Sequence, residues 1–197
     1  MSYSKPMQIL VAEHEVIVSV LEAVETAAGQ DSSGAFPADF FTKAIDFIVN
    51  YADHFHHAKE EDLLLPKLIA RGIPAQGGPI GMMLYEHDEG RAYVQTMKKA
   101  LPQAAQGDRA AAAQVREAAV AFAALLQDHI MKENQVLYRM GDQVMSAADK
   151  DELVQQFADA ERKSAPAPGT SRRRRQARSC VPRRQTAAQV RPCPPPT

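Results

Sequence analysis

Apolar residues recur with the 3.6-residue spacing of amphipathic α-helices along most of the chain, and turn-forming residues divide them into four long segments. The segments cover residues 4–29, 37–68, 79–102 and 108–140, and a shorter helical segment follows at 146–162. Alternating strand patterns are absent. The sequence therefore predicts an all-α fold, an up-down-up-down four-helix bundle with a short additional C-terminal helix.

Individual residues mark several of the predicted helix ends. Asp108 is expected to cap the fourth helix, and Ser146 to Asp149 resembles a capping box for the fifth. Pro66 is expected to kink or end the second helix near its C-terminus. A polar loop is expected at 30–35, and no internal repeat of fixed period is evident.

The charge of the chain is divided unevenly. The net charge is −1 overall, but residues 164–197 contain eight arginines and no acidic residue, which leaves 15 basic against 24 acidic residues in 1–163. Residues 164–197 are also rich in proline and lack apolar periodicity. We therefore expect a helical domain over 1–163 and a disordered basic tail over 164–197.

The tail leaves three interpretations open. It could contact nucleic acid or another acidic surface, it could be a solvated segment without a fixed role, or it could reflect an out-of-frame end to the coding sequence. The second interpretation is favoured, so nucleic acid is not expected as a partner. The oligomeric state is not predicted.

Targeting signals and cysteines indicate where the protein is expected and which cysteine sites it lacks. The chain has no 18-residue apolar run and does not begin with the layout of a secretory signal, so no membrane contact and a cytoplasmic location are expected. Its two cysteines, Cys180 and Cys193, both lie in the tail. Neither a disulfide framework nor a cysteine metal site is expected in the helical domain.

The candidate chemistry lies in the histidines. Each long helix carries a histidine within its pattern, and two of these four are followed four residues later by glutamate, which places both side chains on one helix face. The four are His14, His57, His87 and His129. Polar interruptions of an apolar stripe cost on the order of 1–3 kcal/mol each when unpaired. A shared pair of metal ions would explain all of them at once.

A single histidine–glutamate pair would be weak evidence, because such pairs are common on solvated helix faces. Three occur here: His56 with Glu60, His57 with Glu61, and His129 with Glu133. Imidazole and carboxylate without thiolate suit iron best and manganese next, whereas zinc needs only four ligands.

Four stretches carry a family resemblance: Glu13-His14-Glu15, the run from His57 to Pro66, the run from Gly78 to Arg91, and the run from His129 to Leu137. With these stretches the chain resembles the hemerythrin-like domain, also called the HHE cation-binding domain, over roughly residues 5–160. The resemblance implies a di-iron centre with bridging carboxylates. The ligands that it implies here are His14, His57, Glu61, His87, His129 and Glu133.

The resemblance also indicates which neighbouring residues are not expected to be metal ligands. It favours Glu61 over Glu60, and His56 is expected to face away from the core. Oxygen-carrying hemerythrins look as though they hold a fifth histidine on the third helix, but the turns flanking His87 carry Met83 and Arg91. His54 could supply a fifth ligand, although an outer or solvent-facing position is favoured.

Three functions remain open at this stage. The favoured one is a di-iron protein that binds, senses or reduces oxygen, peroxide or nitric oxide in stress response or iron handling, with enzymatic turnover undecided. The alternative from another class is a metal-stabilised structural or regulatory bundle without redox turnover. A ferritin-like oxidase ranks low, because that class places glutamate three residues before histidine.

Overall fold

The computed structural model describes residues 3–29 and 35–164. Within these residues the fold is all-helical, which confirms the predicted class. Helix α1 spans Lys5–Ala28, α4 spans Pro79–Ala105, α5 spans Arg109–Lys132 and α7 spans Ala147–Ser164. The remaining helices form one long segment between α1 and α4 and a second segment that continues α5. The up-down-up-down direction of the helices stays a prediction.

Two of the long helical segments contain both α-helical and π-helical stretches. The second consists of α2 (Ala38–Phe47), a π-helix (Ile48–His57), a second π-helix (Glu60–Leu64) and α3 (Leu65–Ala70). The segment that contains α5 continues through a third π-helix (Glu133–Leu137) into α6 (Tyr138–Val144). A π-helix closes each hydrogen bond one residue further along than an α-helix, and it is found mostly as single turns at functional sites.

The predicted helix ends hold in part. Asp108 caps α5 by accepting from the amides of Ala110 and Ala111, and Ser146 and Asp149 form the expected capping box. Pro66 does not end its helix. It lies in the first turn of α3, where a proline needs no amide donor, and the chain remains helical to Ala70.

Two apolar clusters form the core, one on each side of a polar layer. Along α1, for example, Met7 and Leu10 belong to one cluster and Ile17 and Val20 to the other, with His14 between them. The same order recurs along the other long helices. Apolar packing above and below therefore excludes water from the layer that carries the candidate ligands.

The described residues contain no helix long and apolar enough to cross a membrane. The basic tail, apart from Ser164, and most of the loop predicted at 30–35 lie outside the described residues. The domain boundary at residue 164 and the disorder of the tail stay predictions.

Candidate metal centre

Two groups of buried histidine and glutamate side chains occupy the polar layer. The first group consists of His14, His56, Glu60 and Glu133, and the second of His57, Glu60, His87 and His129. Within each group the potential ligand atoms lie within 4.8 Å of one another. Glu60 belongs to both groups, so one carboxylate lies between the two clusters of imidazoles.

Glu133 also contacts both groups. Its Oε2 lies 3.1 Å from Nε2 of His14, and its Oε1 lies 3.3 Å from Nε2 of His129. Glu60 behaves in the same way, since its Oε2 lies 3.6 Å from Nε2 of His56 and 3.7 Å from Nε2 of His87. The two carboxylates therefore span the space between the groups, as bridging ligands would.

The imidazoles face one another in pairs through Nε2. The Nε2 atoms of His14 and His56 are 2.8 Å apart, and those of His87 and His129 are 3.0 Å apart. Each opposite ring nitrogen, Nδ1, lies against an oxygen acceptor. A neutral imidazole that donates from Nδ1 presents only a lone pair at Nε2. Two lone pairs at this distance repel unless a cation or an added proton lies between them.

The four acceptors at Nδ1 come from four different residues. His14 contacts Asn134 at 3.1 Å, His56 contacts Glu13 at 2.9 Å, His87 contacts Glu61 at 2.7 Å and His129 contacts Glu86 at 3.0 Å. Metal-binding histidines usually donate their other ring N–H to such a partner, which fixes the tautomer and the ring orientation.

Burial affects single imidazoles of the two pairs differently. Burial, followed by repulsion from His14, lowers the pKa of His56 well below its usual value, so the His56 ring stays neutral. In the second pair burial opposes protonation, but the carboxylates of Glu133 and Glu86 outweigh it and raise the pKa of His129. The two carboxylates thus favour a positive charge at the His129 ring.

The two buried carboxylates of the layer also favour a bound cation. Burial, followed by repulsion from Glu133, raises the pKa of Glu60 well above its usual value. Burial also acts on Glu133, but His129 and His14 hold its pKa well below the usual range. Glu60 Oε2 and both oxygens of Glu133 have no hydrogen-bond donor among the described residues. Buried carboxylate oxygens without donors are expected to be paired or to coordinate a metal.

The structure brings together five of the six ligands that the family resemblance implies, but not Glu61. The carboxylate of Glu61 lies outside both groups, accepting from Nδ1 of His87 and from Arg91 at 2.7 Å. These donors hold the pKa of Glu61 at about 2. Glu60 lies in the layer instead, because the segment from Ile48 to Leu64 is largely π-helical and the α-helical spacing does not apply.

His56 was expected to face away from the core, and this expectation is wrong. Its side chain is 1% exposed, and both ring nitrogens contact residues of the layer. His57 is also buried, with its ring stacked on that of His87 at 3.8 Å between centroids. His54, the alternative fifth ligand, is 68% exposed and belongs to neither group.

Tyr138 is a site residue that the sequence pattern did not reveal. It is completely buried, and its hydroxyl donates to Oε1 of Glu60 at 2.5 Å. The hydroxyl oxygen of Tyr138 also lies 3.3 Å from Nε2 of His14. Burial, together with the nearby carboxylates of Glu133 and Glu60, raises the pKa of Tyr138 well above its usual value. The phenol therefore keeps its proton and points it at the shared carboxylate.

The site consists of two related halves, although no repeat was expected from the sequence. In the first half Glu13 contacts His56 and Lys59, and in the second half Glu86 contacts His129 and Lys132 at the same separations along the chain. Every member of the second set lies 73 positions after its counterpart. The same shift relates Glu60 to Glu133 and Glu61 to Asn134, which orients His14 as Glu61 orients His87.

This correspondence is the signal that would have placed His56 and Glu60 in the groups. A shift of 73 residues places His129 opposite His56 and Glu133 opposite Glu60, whereas His57 falls opposite Ile130 and Tyr138 opposite Leu65. The two halves therefore share a common set of candidate ligands and orienting partners. They differ by an additional histidine in one half and a tyrosine in the other.

Comparison with known proteins agrees with the site. The family model described as "Hemerythrin HHE cation binding domain" matches residues 5–141, which include all residues of both groups. Neither curated proteins nor solved structures gave a significant match. Because the family model spans well over half of the chain, the protein belongs to the hemerythrin HHE cation-binding domain family.

Proposed function

We propose that the protein holds a pair of iron ions and uses them to bind, sense or reduce a small oxygen or nitrogen species, such as oxygen, peroxide or nitric oxide. Stress response or iron handling is the proposed setting. One observation carries the proposal. Four imidazole lone pairs and two carboxylates converge in a buried layer, and three of the carboxylate oxygens lack a donor among the described residues.

The proposed ligands fall into two sets joined by two carboxylates. His14 and His56 would hold one ion, His57, His87 and His129 the other, and Glu60 and Glu133 would reach both. Five members of the sequence-based set are thus kept. Glu60 takes the position assigned to Glu61, and His56 is added.

The donor set favours iron over the alternatives. It combines imidazole with carboxylate and contains no sulfur, and two carboxylates suit a dinuclear site. Zinc is redox-inert and is satisfied by four ligands, and manganese ranks second. When bound, an iron pair supplies the electron exchange that small oxygen and nitrogen species require.

The residues around the proposed ligands fix their orientation and limit their contact with water. The partners at Nδ1 hold the imidazoles in one tautomer, and the apolar clusters on either side keep bulk water out of the layer. The hydroxyl oxygen of Tyr138 lies 2.5 Å from Oε1 of Glu60 and donates its hydrogen bond to it. A proton held at this point supports oxidoreductase turnover as well as binding or sensing.

The proposal predicts a reactive chromophore. Iron-loaded, oxidised protein should show near-ultraviolet absorption bands that change on addition of peroxide or nitric oxide. His57→Ala should weaken or abolish the bands, because it removes a buried group member. His54→Ala, a matched control on the same π-helix, should leave them unchanged because His54 is exposed.

The alternative, a metal-stabilised structural or regulatory bundle, gives a different result in the same experiment. Metal removal would then lower the melting temperature, while peroxide and nitric oxide would leave the absorption spectrum unchanged. Such a result would contradict the reactive function and leave the metal centre intact.

A further inference from the structure

Helix α7 packs against the first half of the site. It contacts α1 and the π-helix Glu60–Leu64, and it begins after residue 141, where the match to the family model ends. Two of its side chains, Leu153 and Phe157, are completely buried in the apolar cluster that contains Met7. Helix α7 is therefore an integral part of the core beside the polar layer.

Lys59 connects α7 to the proposed ligands. Its side chain is 1% exposed, and its ammonium donates to Oε1 of Glu13 and, at 2.9 Å, to Oε1 of Glu161 on α7. The other carboxylate oxygen of Glu13, Oε2, lies 2.9 Å from Nδ1 of His56. A continuous chain of polar contacts thus runs from α7 to the imidazole of one proposed ligand.

The ammonium of Lys59 has little water around it to replace a lost partner. It lies 3.8 Å from the ring centroid of Phe55 and 5.8 Å from that of Phe157. A buried charge is stable only while it is paired, because its hydration has been lost. Without Glu161, Glu13 would be its one carboxylate partner among the described residues.

The second half of the site has the same ion pair without a helix over it. Lys132, which lies 73 positions after Lys59, donates to Glu86, and Glu86 contacts Nδ1 of His129 at 3.0 Å. The side chain of Lys132 is 36% exposed, and Glu86 is its one carboxylate partner in the part of the chain that the structure describes. The two halves therefore differ in whether a further helix secures the orienting pair.

We propose that Lys59 and Glu161 are positioning residues through which α7 retains the metal ion of the first half. Glu161 fixes the ammonium of Lys59 by pairing with it. Lys59 then holds Glu13 against Nδ1 of His56, so that Nε2 of this imidazole faces the layer. The ion of the second half is retained independently of α7. This role of α7 rests on the proposed function, since it presupposes a bound metal pair, and it adds control over the release of one ion.

Charge reversal at two positions of α7 separates this role from a general contribution to stability. Glu161→Lys should speed the removal of one of the two irons by a chelator by on the order of tenfold, because loss of an outer orienting partner weakens metal binding by about 10–100-fold. The release rate of the other iron should stay close to that of the wild type. Absorbance of the chelate, followed over time, counts the irons in each phase.

Glu152→Lys is the matched control on the same helix. Glu152 is 52% exposed and pairs with Lys67 at 2.7 Å, much as Glu161 is 48% exposed and pairs with Lys59 at 2.9 Å. Lys67 contacts Asp149 and Glu152 but none of the proposed ligands or their orienting partners. Glu152→Lys should therefore leave the release rates of both irons unchanged.

Hydrogen exchange provides a second readout, which the wild-type protein supplies. If α7 retains an ion, the bound ion must by reciprocity stabilise the docking of α7. Iron loading should therefore slow amide exchange near Phe157 in the wild type and in Glu152→Lys. Most of this protection should be lost in Glu161→Lys.

Two results would contradict the role of α7: equal release rates in the wild type and Glu161→Lys, or acceleration of both irons by both variants alike. An absence of any effect of iron on amide exchange in wild-type α7 would also contradict it. These measurements involve no peroxide or nitric oxide. A protein that shows the selective release but reacts with neither reagent would contradict the proposed function alone.

Discussion

Glu60→Gln is expected to abolish stable metal binding at both positions, whereas Glu61→Gln should leave the metal content close to that of the wild type. Among the described residues, Glu60 is the one carboxylate that belongs to both groups, and it is completely buried. Glutamine has nearly the same shape but lacks the negative charge, and its NH₂ group offers protons where a metal ion needs lone pairs.

The neighbouring residue supplies the matched control. Glu61 accepts from His87 Nδ1 and Arg91, and glutamine keeps a carbonyl oxygen that can accept from the same donors. Loss of such an outer partner costs on the order of 10–100-fold in metal affinity, which still permits loading at adequate metal concentration. Metal analysis after desalting, with circular dichroism to verify folding, distinguishes the two variants. Full loading of Glu60→Gln together with loss of metal from Glu61→Gln would reverse the assignment.

Removing the metal should lower the melting temperature of the wild-type protein by roughly 8–16 °C. A ligand present at about 1,000 times its Kd stabilises the folded state by about 4 kcal/mol, and 1 kcal/mol corresponds to about 2–4 °C for a chain of this size. Without cations, the facing Nε2 lone pairs repel each other, and Glu60 Oε2 and both oxygens of Glu133 have no hydrogen-bond donor among the described residues. Calorimetry before and after dialysis against a chelator measures the shift.

Return of the metal is the control for this experiment, since ferrous iron added without oxygen should restore the original melting temperature. His54→Ala should show the same shift as the wild type, because the exposed His54 belongs to neither group. An unchanged melting temperature after verified removal of metal would mean that the polar layer is stable on its own, contrary to this prediction.

Much of the fold could be predicted from the sequence because apolar periodicity is strong in the long helices. The same periodicity identified His14, His87 and His129, since each interrupts an apolar stripe. It did not place Glu60 and His56 in the polar layer: the family resemblance favoured Glu61, His56 was expected to face away, and the segment that carries them is largely π-helical. A π-helix depends on the packing of the whole layer, and single-helix periodicity does not contain that information.

Other features of the site depend on contacts between distant segments. Tyr138 donates to Glu60 across 78 positions of the chain, and no local pattern distinguishes it from a core tyrosine. A cavity that His57 and His87 line also lies between Gly90 and Phe122, which belong to different helices. The correspondence of the two halves at 73 residues, by contrast, is visible in the sequence once the pairs Glu13-His14 and Glu86-His87 are aligned.

The proposed function depends on a pair of iron ions in the polar layer. Metal analysis of the wild-type protein, purified without chelators, measures whether they are present. We expect about two irons per chain, both lost in Glu60→Gln. Stoichiometric zinc, or a folded protein that takes up no metal when iron is supplied, would contradict it.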